Sequence, residues 1–125
     1  MEWKELKSSN RYIVFDEYKK EKEKTQQFLV KKGKVVYAKV NHIGESNFIP
    51  GKKYILLDLV KDDFTLIGET VSLTPPRYLE VLMGLDPEFP QDKVVTEGDF
   101  IGIEYLGRDE NKEGHPYTFN LFYGT

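Results

Sequence analysis

Apolar and polar positions alternate along much of this chain, which is the pattern of β-strands that bury one face. In the stretch DFIGIEYLG at 99–107, Ile101, Ile103 and Tyr105 fall on the same face. The other stretches of this kind are rich in β-branched and aromatic residues, which suit a pleated surface. The pattern predicts six strands, at residues 11–18, 28–40, 54–60, 64–70, 99–107 and 117–123.

The segments between these strands predict a hairpin, a bend and several loops. The charged run KKEKEKTQQ at 19–27 favours the tip of an N-terminal hairpin, with a solvated loop as the alternative. Gly33, inside the strand at 28–40, predicts a bulge or a sharp bend. A composition rich in turn-forming residues predicts loops at 41–53, 86–92 and 108–116.

One short helix is predicted over residues 74–84. Thr74 is placed to act as the N-cap, with Pro75 and Pro76 in the first turn, where a missing N–H costs nothing. Gly84 can end the helix in a left-handed conformation. The apolar side chains at helical spacing between these ends are Leu79, Leu82 and Met83.

Three strands, a helix and two strands are the element order of an OB-fold, a five-stranded Greek-key barrel. We therefore expect one mostly β domain, with its helix between the third and fourth barrel strands. Residues 1–27 would form a β-hairpin arm packed on an OB-fold-like barrel of residues 28–125. A small sandwich and an SH3-like barrel are the alternatives, since element order alone does not determine topology. The expected core residues are Ile55, Leu57, Leu59, Ile101, Ile103 and Phe119.

Composition excludes some kinds of site and indicates a compartment. The 125-residue chain has no cysteine, so disulfides, Cys-based zinc sites and thiol nucleophiles are excluded, and a reducing compartment is favoured. The first ten residues, MEWKELKSSN, lack the apolar core of a secretory signal. No apolar run approaches the length that spans a bilayer. We expect a soluble cytoplasmic protein with no membrane partner.

Charge is distributed unevenly over the two halves of the chain. Residues 1–61 contain 14 Lys+Arg against 8 Asp+Glu, whereas residues 62–125 contain 4 against 13. This asymmetry predicts one basic face and one acidic face, and the basic face is compatible with a polyanionic partner. The alternative is that these charges only solvate the surface.

Catalytic and metal-binding patterns are missing from the sequence. His42 and His115 lie in different predicted loops, without a second ligand at helical spacing. Asp62 and Asp63 are adjacent in a predicted turn, and adjacent residues of a strand point to opposite faces. Neither a glycine-rich phosphate loop nor a nucleophile elbow occurs. We predict a protein that is not an enzyme and that holds no metal or cofactor, with a hydrolase or nuclease of unrecognised type as the alternative.

Aromatic residues interleaved with lysines point to a binding role. A cleft for single-stranded nucleic acid needs rings on which bases stack and cations along the phosphate track. In an OB barrel this cleft lies on strands two and three, flanked by two loops. Tyr37, Tyr54 and Phe64 would stack bases, and burial in the core is the alternative for these rings. The candidate nucleic-acid-binding residues are Lys32, Lys34, Tyr37, Lys39, Phe48, Lys52, Lys53, Tyr54, Phe64, Arg108, Lys112 and Tyr117.

The last third of the chain carries a family pattern. In residues 95–122 a Gly-Asp turn leads into an alternating strand that ends in Tyr-x-Gly, followed by a polar loop and a short aromatic strand. This pattern resembles the closing hairpin of phage-type single-stranded DNA-binding proteins, and TLIGETVSLTPPRYLEVL at 65–82 is similar to the strand-to-helix passage of that family. The loop at 108–115 is more acidic than such loops commonly are. The matching positions are Gly98, Asp99, Ile103, Tyr105, Gly107, Gly114, Tyr117 and Phe119.

The resemblance implies an OB-fold protein that coats single-stranded DNA during replication or recombination, without turnover and with low sequence specificity. Its partner would be single-stranded DNA, with RNA as the alternative, and a homo-oligomer is compatible with this role. The competing hypothesis is a protein-interaction barrel that serves as a subunit of a larger assembly. In that case the acidic half of the chain and Trp3, Tyr12 and Phe15 of the N-terminal arm would form the interacting surface.

Overall fold

Seven strands and one helix make up the described part of the chain, which in this computed structural model comprises residues 11–16, 27–47 and 49–124. The fold is mostly β, as the alternating pattern predicts. The elements are β1 (Arg11–Phe15), β2 (Gln27–Val30), β3 (Val35–Glu45), β4 (Lys53–Val60), β5 (Leu66–Leu73), α1 (Arg77–Leu82), β6 (Phe100–Arg108) and β7 (Tyr117–Gly124).

All seven strands belong to one sheet, in the order β2-β1-β5-β4-β3-β6-β7. Within the segment β5-β4-β3-β6-β7 of this order, each strand is antiparallel to its neighbours. β1, in contrast, pairs in parallel with both β2 and β5. The sheet curls into a half-barrel. Its curvature brings the Phe15 ring of β1 to 5.4 Å from the Tyr105 ring and 4.7 Å from the Phe119 ring, between ring centroids.

The N-terminal hairpin arm predicted from the sequence is wrong. β1 and β2 run in parallel, in the register Tyr12↔Gln27 to Phe15↔Val30. A tight turn joins antiparallel strands only, whereas parallel neighbours need a crossover of about a dozen residues. Of the predicted tip at 19–27, Gln27 begins β2, and residues 19–26 lie outside the described residues.

The long strand predicted at 28–40 is two strands, so the six predicted strands become seven, and all seven form one sheet in place of the expected five-stranded barrel with a separate arm. Gly33, with φ 84°, sits in a turn between β2 and β3, closed by a 3.0 Å bond from the Lys34 amide to the Lys31 carbonyl. The strand that pairs on both sides is β3, which bends at a bulge between Val40 and His42. Its first half pairs with β6 and its second half with β4. The predicted 41–53 loop is correspondingly shorter.

The helix forms in the predicted place, but its start differs. α1 begins at Arg77, after Pro76, without a side-chain cap, and Thr74 is exposed outside it. Gly84, with φ 75°, ends the helix as predicted. In this cap the Gly84 amide donates to the Val81 carbonyl at 3.0 Å and the next amide donates to the Glu80 carbonyl at 3.1 Å. No helix of the described segments has the length and apolar character needed to cross a membrane.

The core lies inside the curl of the sheet. Alternate residues of the strands point into it, and the Leu79 and Met83 side chains of the helix region are buried there too. Tyr105 is fully buried beside them. All six core residues predicted from the sequence are confirmed as buried: Ile55, Leu57, Leu59, Ile101, Ile103 and Phe119.

Candidate functional site

The half-barrel distributes the candidate binding residues over four places. Phe48 lies outside the described residues. The β2–β3 turn carries Lys32 and Lys34, and the start of β4 carries Lys52, Lys53 and Tyr54. The β6–β7 loop region carries Arg108, Lys112 and Tyr117. The outer face around β3 carries the last group, Tyr37, Lys39 and Phe64.

The two aromatic residues of the last group belong to a set of four rings on the outer face, which we call the aromatic platform: Tyr37, Phe64, Phe100 and Phe122. Tyr37, Phe64 and Phe122 are 43%, 43% and 49% exposed, and Phe100 is half-buried. The register places Tyr37 and Phe122 on either side of Gly102. Phe64 and Phe100 meet edge to face, with ring centroids 4.9 Å apart. The rings enclose a shallow depression of about 130 Å³.

Glycines hold these rings against the sheet. A β-carbon placed on Gly102 would lie 3.4 Å from the Tyr37 ring and 3.5 Å from the Phe122 ring. A β-carbon on Gly124 would overlap the Phe64 ring. Each ring therefore covers backbone with one part of its surface and keeps the remainder in solvent. Such a surface can stack with a flat ligand.

Phe64 occupies a backbone conformation that favours glycine. Its φ is 69°, in the left-handed region. Phe64 lies in the turn between β4 and β5. Two hydrogen bonds of 2.9 Å close this turn, one from the Phe64 amide to the Lys61 carbonyl and one from the Lys61 amide to the Thr65 carbonyl. Hairpin turns of this length usually place glycine at this position. A ring is thus present where the backbone would be more stable without a side chain, and strained residues of this kind cluster at functional sites.

Charges of both signs surround the platform. The Lys39 ammonium lies 5.8 Å from the centre of the Phe100 ring, and Lys61 lines the depression. Asp62 lines it as well. Hydrogen bonds from the side chain and backbone of Thr65 lower the pKa of Asp63, so this carboxylate stays ionised at neutral pH. The cations of this surface are Lys39 on β3 and Lys61 in the β4–β5 turn, and its anions are the two carboxylates of the same turn.

The outer face of β4 and β5, where the OB-fold expectation puts the cleft, carries carboxylates. Asp58 accepts hydrogen bonds from Asn41 at 3.0 Å and from the Thr70 hydroxyl at 2.7 Å. Glu69 pairs with Arg11 at 2.5 Å. Because anionic side chains repel phosphates, the middle of this face is unfavourable for a phosphate track.

At the start of β4, one predicted ring and one predicted lysine contact other protein groups. The Tyr54 ring covers Gly44, where a β-carbon would lie 2.6 Å from it. It also lies 5.8 Å from the His42 ring, between centroids. Lys52 lies 3.8 Å from the buried carboxylate of Glu80. All three residues of this group are half-buried.

Near the β6–β7 loop, the Arg108 guanidinium stacks 4.4 Å above the centre of the Tyr117 ring. Both line a polar cavity of about 390 Å³, together with Asp16, Glu110 and His115. Lys112 is exposed in the loop. The mixture of carboxylates and cations gives this cavity no dominant charge.

The described residues contain no cluster of three or more histidines and carboxylates that could hold a metal ion. Of the surface suggested for a protein-interaction module, Tyr12 is exposed and Phe15 is buried in the core, while Trp3 lies outside the described residues. No protein-family model, curated protein or solved structure matches this chain.

Sequence reasoning missed Phe100, Phe122 and Lys61 as members of the surface. A signal for Phe100 exists, because Phe100 and Gly102 alternate with the buried Ile101 and therefore point outward. The glycine on that outward face is a second signal, since a glycine in a strand often marks close approach by another group. That the approaching groups are Tyr37 and Phe122 depends on strand register.

Proposed function

We propose that this protein binds single-stranded DNA on the aromatic platform, without catalysing a reaction and with little sequence preference. The observation that carries the proposal is the set of exposed rings held against glycines beside lysine side chains. Every base has a π-face, so stacking on such rings is sequence-tolerant and contributes roughly 1–3 kcal/mol per base. Lys39 and Lys61 would contact the phosphates of the same strand.

The connectivity supports an OB-fold built from β3 to β7. The order β5-β4-β3-β6-β7, the helix between β5 and β6, and a first strand that pairs on both sides fit the Greek-key barrel of that fold. β1 and β2 would be additions on the side where the third and fifth barrel strands approach each other. The proposed track differs from the usual one, because it follows β3, β6 and β7 rather than β4 and β5.

The resemblance of residues 95–122 to phage-type single-strand binders suggests the biological role. We propose that the protein coats single strands during replication or recombination of a phage or mobile element, in the cytoplasm of the host cell. RNA is the alternative partner. Self-association along a strand is compatible with the proposal and is not required by it.

Anisotropy titrations of fluorescent oligo-dT test the proposal. We expect Phe122→Ala and Phe64→Gly each to weaken binding by roughly tenfold or more, because each removes a stacked base contact. Phe89→Ala is the matched control, since Phe89 is 51% exposed and lies outside the platform. Binding should also weaken with salt, and Lys39→Ala should reduce the log–log salt slope by about 0.7, the value for one phosphate contact on a single strand.

Three outcomes would contradict the proposal. One is the absence of binding to oligo-dT at low salt, and another is equal affinity for duplex DNA. The third is a loss of affinity in Phe89→Ala that matches the loss in the two platform variants. Urea unfolding of each variant checks that the fold is intact.

A further inference from the structure

An apolar cleft of about 460 Å³ lies next to the aromatic platform and shares Tyr37 with it. It lies between β2 and the ends of β3, β4 and β5. Its volume falls in the range of small-molecule pockets. Leu29, Val36, Leu59 and Ile67 are among the side chains that form its walls.

Strand pairing explains why the cleft is open. β1 pairs with β5 only through Arg11↔Val71 and Tyr12↔Ser72. The first half of β5, from Leu66 onward, therefore has no partner strand on that side among the described residues. The wall of the half-barrel is interrupted there, and the gap leads to the buried core side chains Val36 and Leu59.

Charge at the rim of the cleft has one sign. Lys31 and Lys34 line it and are exposed, and no carboxylate is among the described residues that line it. Among the described residues, neither lysine forms an ion pair. An apolar interior with ammonium groups at the rim is complementary to a molecule with an alkyl chain and an anionic head.

We infer that this cleft binds a free medium-chain carboxylate, with the alkyl chain between β2 and β5 and the head group between Lys31 and Lys34. Apart from the Phe28 and Tyr37 rings and the two rim lysines, the described walls are aliphatic and offer few partners for the polar edges of a base, which argues against a nucleotide. The rim argues against an amine, because like charges repel. The inference does not require the DNA-binding proposal, although Tyr37 lines both the cleft and the platform depression.

Displacement of the fluorescent fatty acid 11-(dansylamino)undecanoic acid by dodecanoate, with the full chain and below micelle formation, tests the inference. We expect saturable binding of the probe and displacement by dodecanoate at roughly tenfold lower concentration than by dodecanol, because only the carboxylate makes charge-assisted bonds. Dodecyltrimethylammonium should displace the probe no better than dodecanol.

Two pairs of variants localise the site. Lys31→Glu/Lys34→Glu should weaken binding by roughly tenfold or more, whereas Lys32→Glu/Lys112→Glu, with the same change in net charge, should not. Ile67→Asp places a carboxylate in the wall and should weaken binding of the fatty acid, because like charges repel. The fold should tolerate this change, since Ile67 is 55% exposed. Its control is Leu106→Asp, an exposed strand position outside the cleft.

Failure of the wild-type chain to bind the probe saturably would overturn the inference. Equal displacement by dodecanol and dodecanoate, or equal loss in test and control variants, would overturn it as well. Oligo-dT binding is measured separately on the same proteins. A lost fatty-acid signal with intact DNA binding, or the reverse, therefore distinguishes failure of this inference from failure of the DNA-binding proposal.

Discussion

At the scale of single residues, the aromatic platform includes one ring, that of Phe64, on a strained backbone. Phe64 has a left-handed backbone conformation that suits glycine, yet its ring covers Gly124 and meets Phe100. The backbone strain opposes folding, whereas the ring contacts favour it. The two contributions can be separated, because alanine removes the ring and keeps the strain, and glycine removes both.

We expect Phe64→Gly to be more stable than Phe64→Ala by about 1 kcal/mol, because only glycine adopts a positive φ without steric cost. Urea unfolding of the two variants measures this difference. If Phe64→Ala proved as stable as Phe64→Gly, residue 64 would not occupy the left-handed region.

Tyr123 has a buried hydroxyl without a hydrogen-bond partner among the described residues. Burial, with a smaller contribution from the Asp99 carboxylate, raises the pKa of Tyr123 above 10.0. The unfolded chain then loses the phenol proton at lower pH than the folded chain does. Stability is therefore lost as the pH rises above about 10.

We expect Tyr123→Phe to increase the free energy of unfolding by about 1 kcal/mol at neutral pH, because it removes an unsatisfied buried hydroxyl. Between about pH 9 and about pH 11 the variant should lose less stability than the wild type. Chemical unfolding across this range measures both effects. Parallel stability curves for the two proteins would contradict the second expectation.

At the scale of elements, local signals predicted most strands and the helix end. The strands at 54–60, 99–107 and 117–123 agree with β4, β6 and β7 to within a residue or so at each end. Gly84 ends α1 because the cap needs a left-handed residue there. The start of α1 was mispredicted, because Thr74 makes no cap and the two prolines precede the helix rather than begin it.

Gly84 and Gly114 form a matched pair for testing the helix end. Both have positive φ, 75° and 80°, but a β-carbon on Gly84 would lie 3.0 Å from the Val94 side chain and 3.1 Å from the Lys93 carbonyl. Gly114 has no atom within 4 Å of that position. The pair separates conformational strain from packing against the segment after α1.

We expect Gly114→Ala to cost about 1 kcal/mol from strain alone, and Gly84→Ala to cost at least about 1 kcal/mol more, because the neighbouring backbone must also move. Urea unfolding of both variants measures the difference. Equal costs would show that the segment at 93–94 does not pack on the helix end.

At the scale of the whole molecule, the position of β1 could not be predicted from the alternating pattern. A strand of five residues can pair with any neighbour that accepts its apolar face. Here β1 inserts between β2 and β5, and its Phe15 ring contacts rings of β6 and β7 across the interior. β1 thus connects the two ends of the half-barrel.

We expect Phe15→Ala to destabilise the protein by about 3–5 kcal/mol, as for other large rings removed from a core. Tyr12→Ala, in the same strand but exposed, should cost well under half as much. Thermal and urea unfolding measure both. Similar costs for the two variants would mean that β1 does not pack across the barrel.

The sequence alone determined where most strands and the helix lie, identified six of the buried core side chains, and excluded chemistry that needs cysteine. These properties follow from alternation, turn residues and composition, all of which act over a few neighbouring positions. It also supplied Tyr37, Lys39 and Phe64, which lie at the aromatic platform, as candidate binding residues. The tertiary structure decided which of these residues meet, because strand order and register join positions far apart in the chain. It therefore added Phe100 and Phe122 to the platform, put carboxylates on β4 and β5, and opened the cleft beside β2.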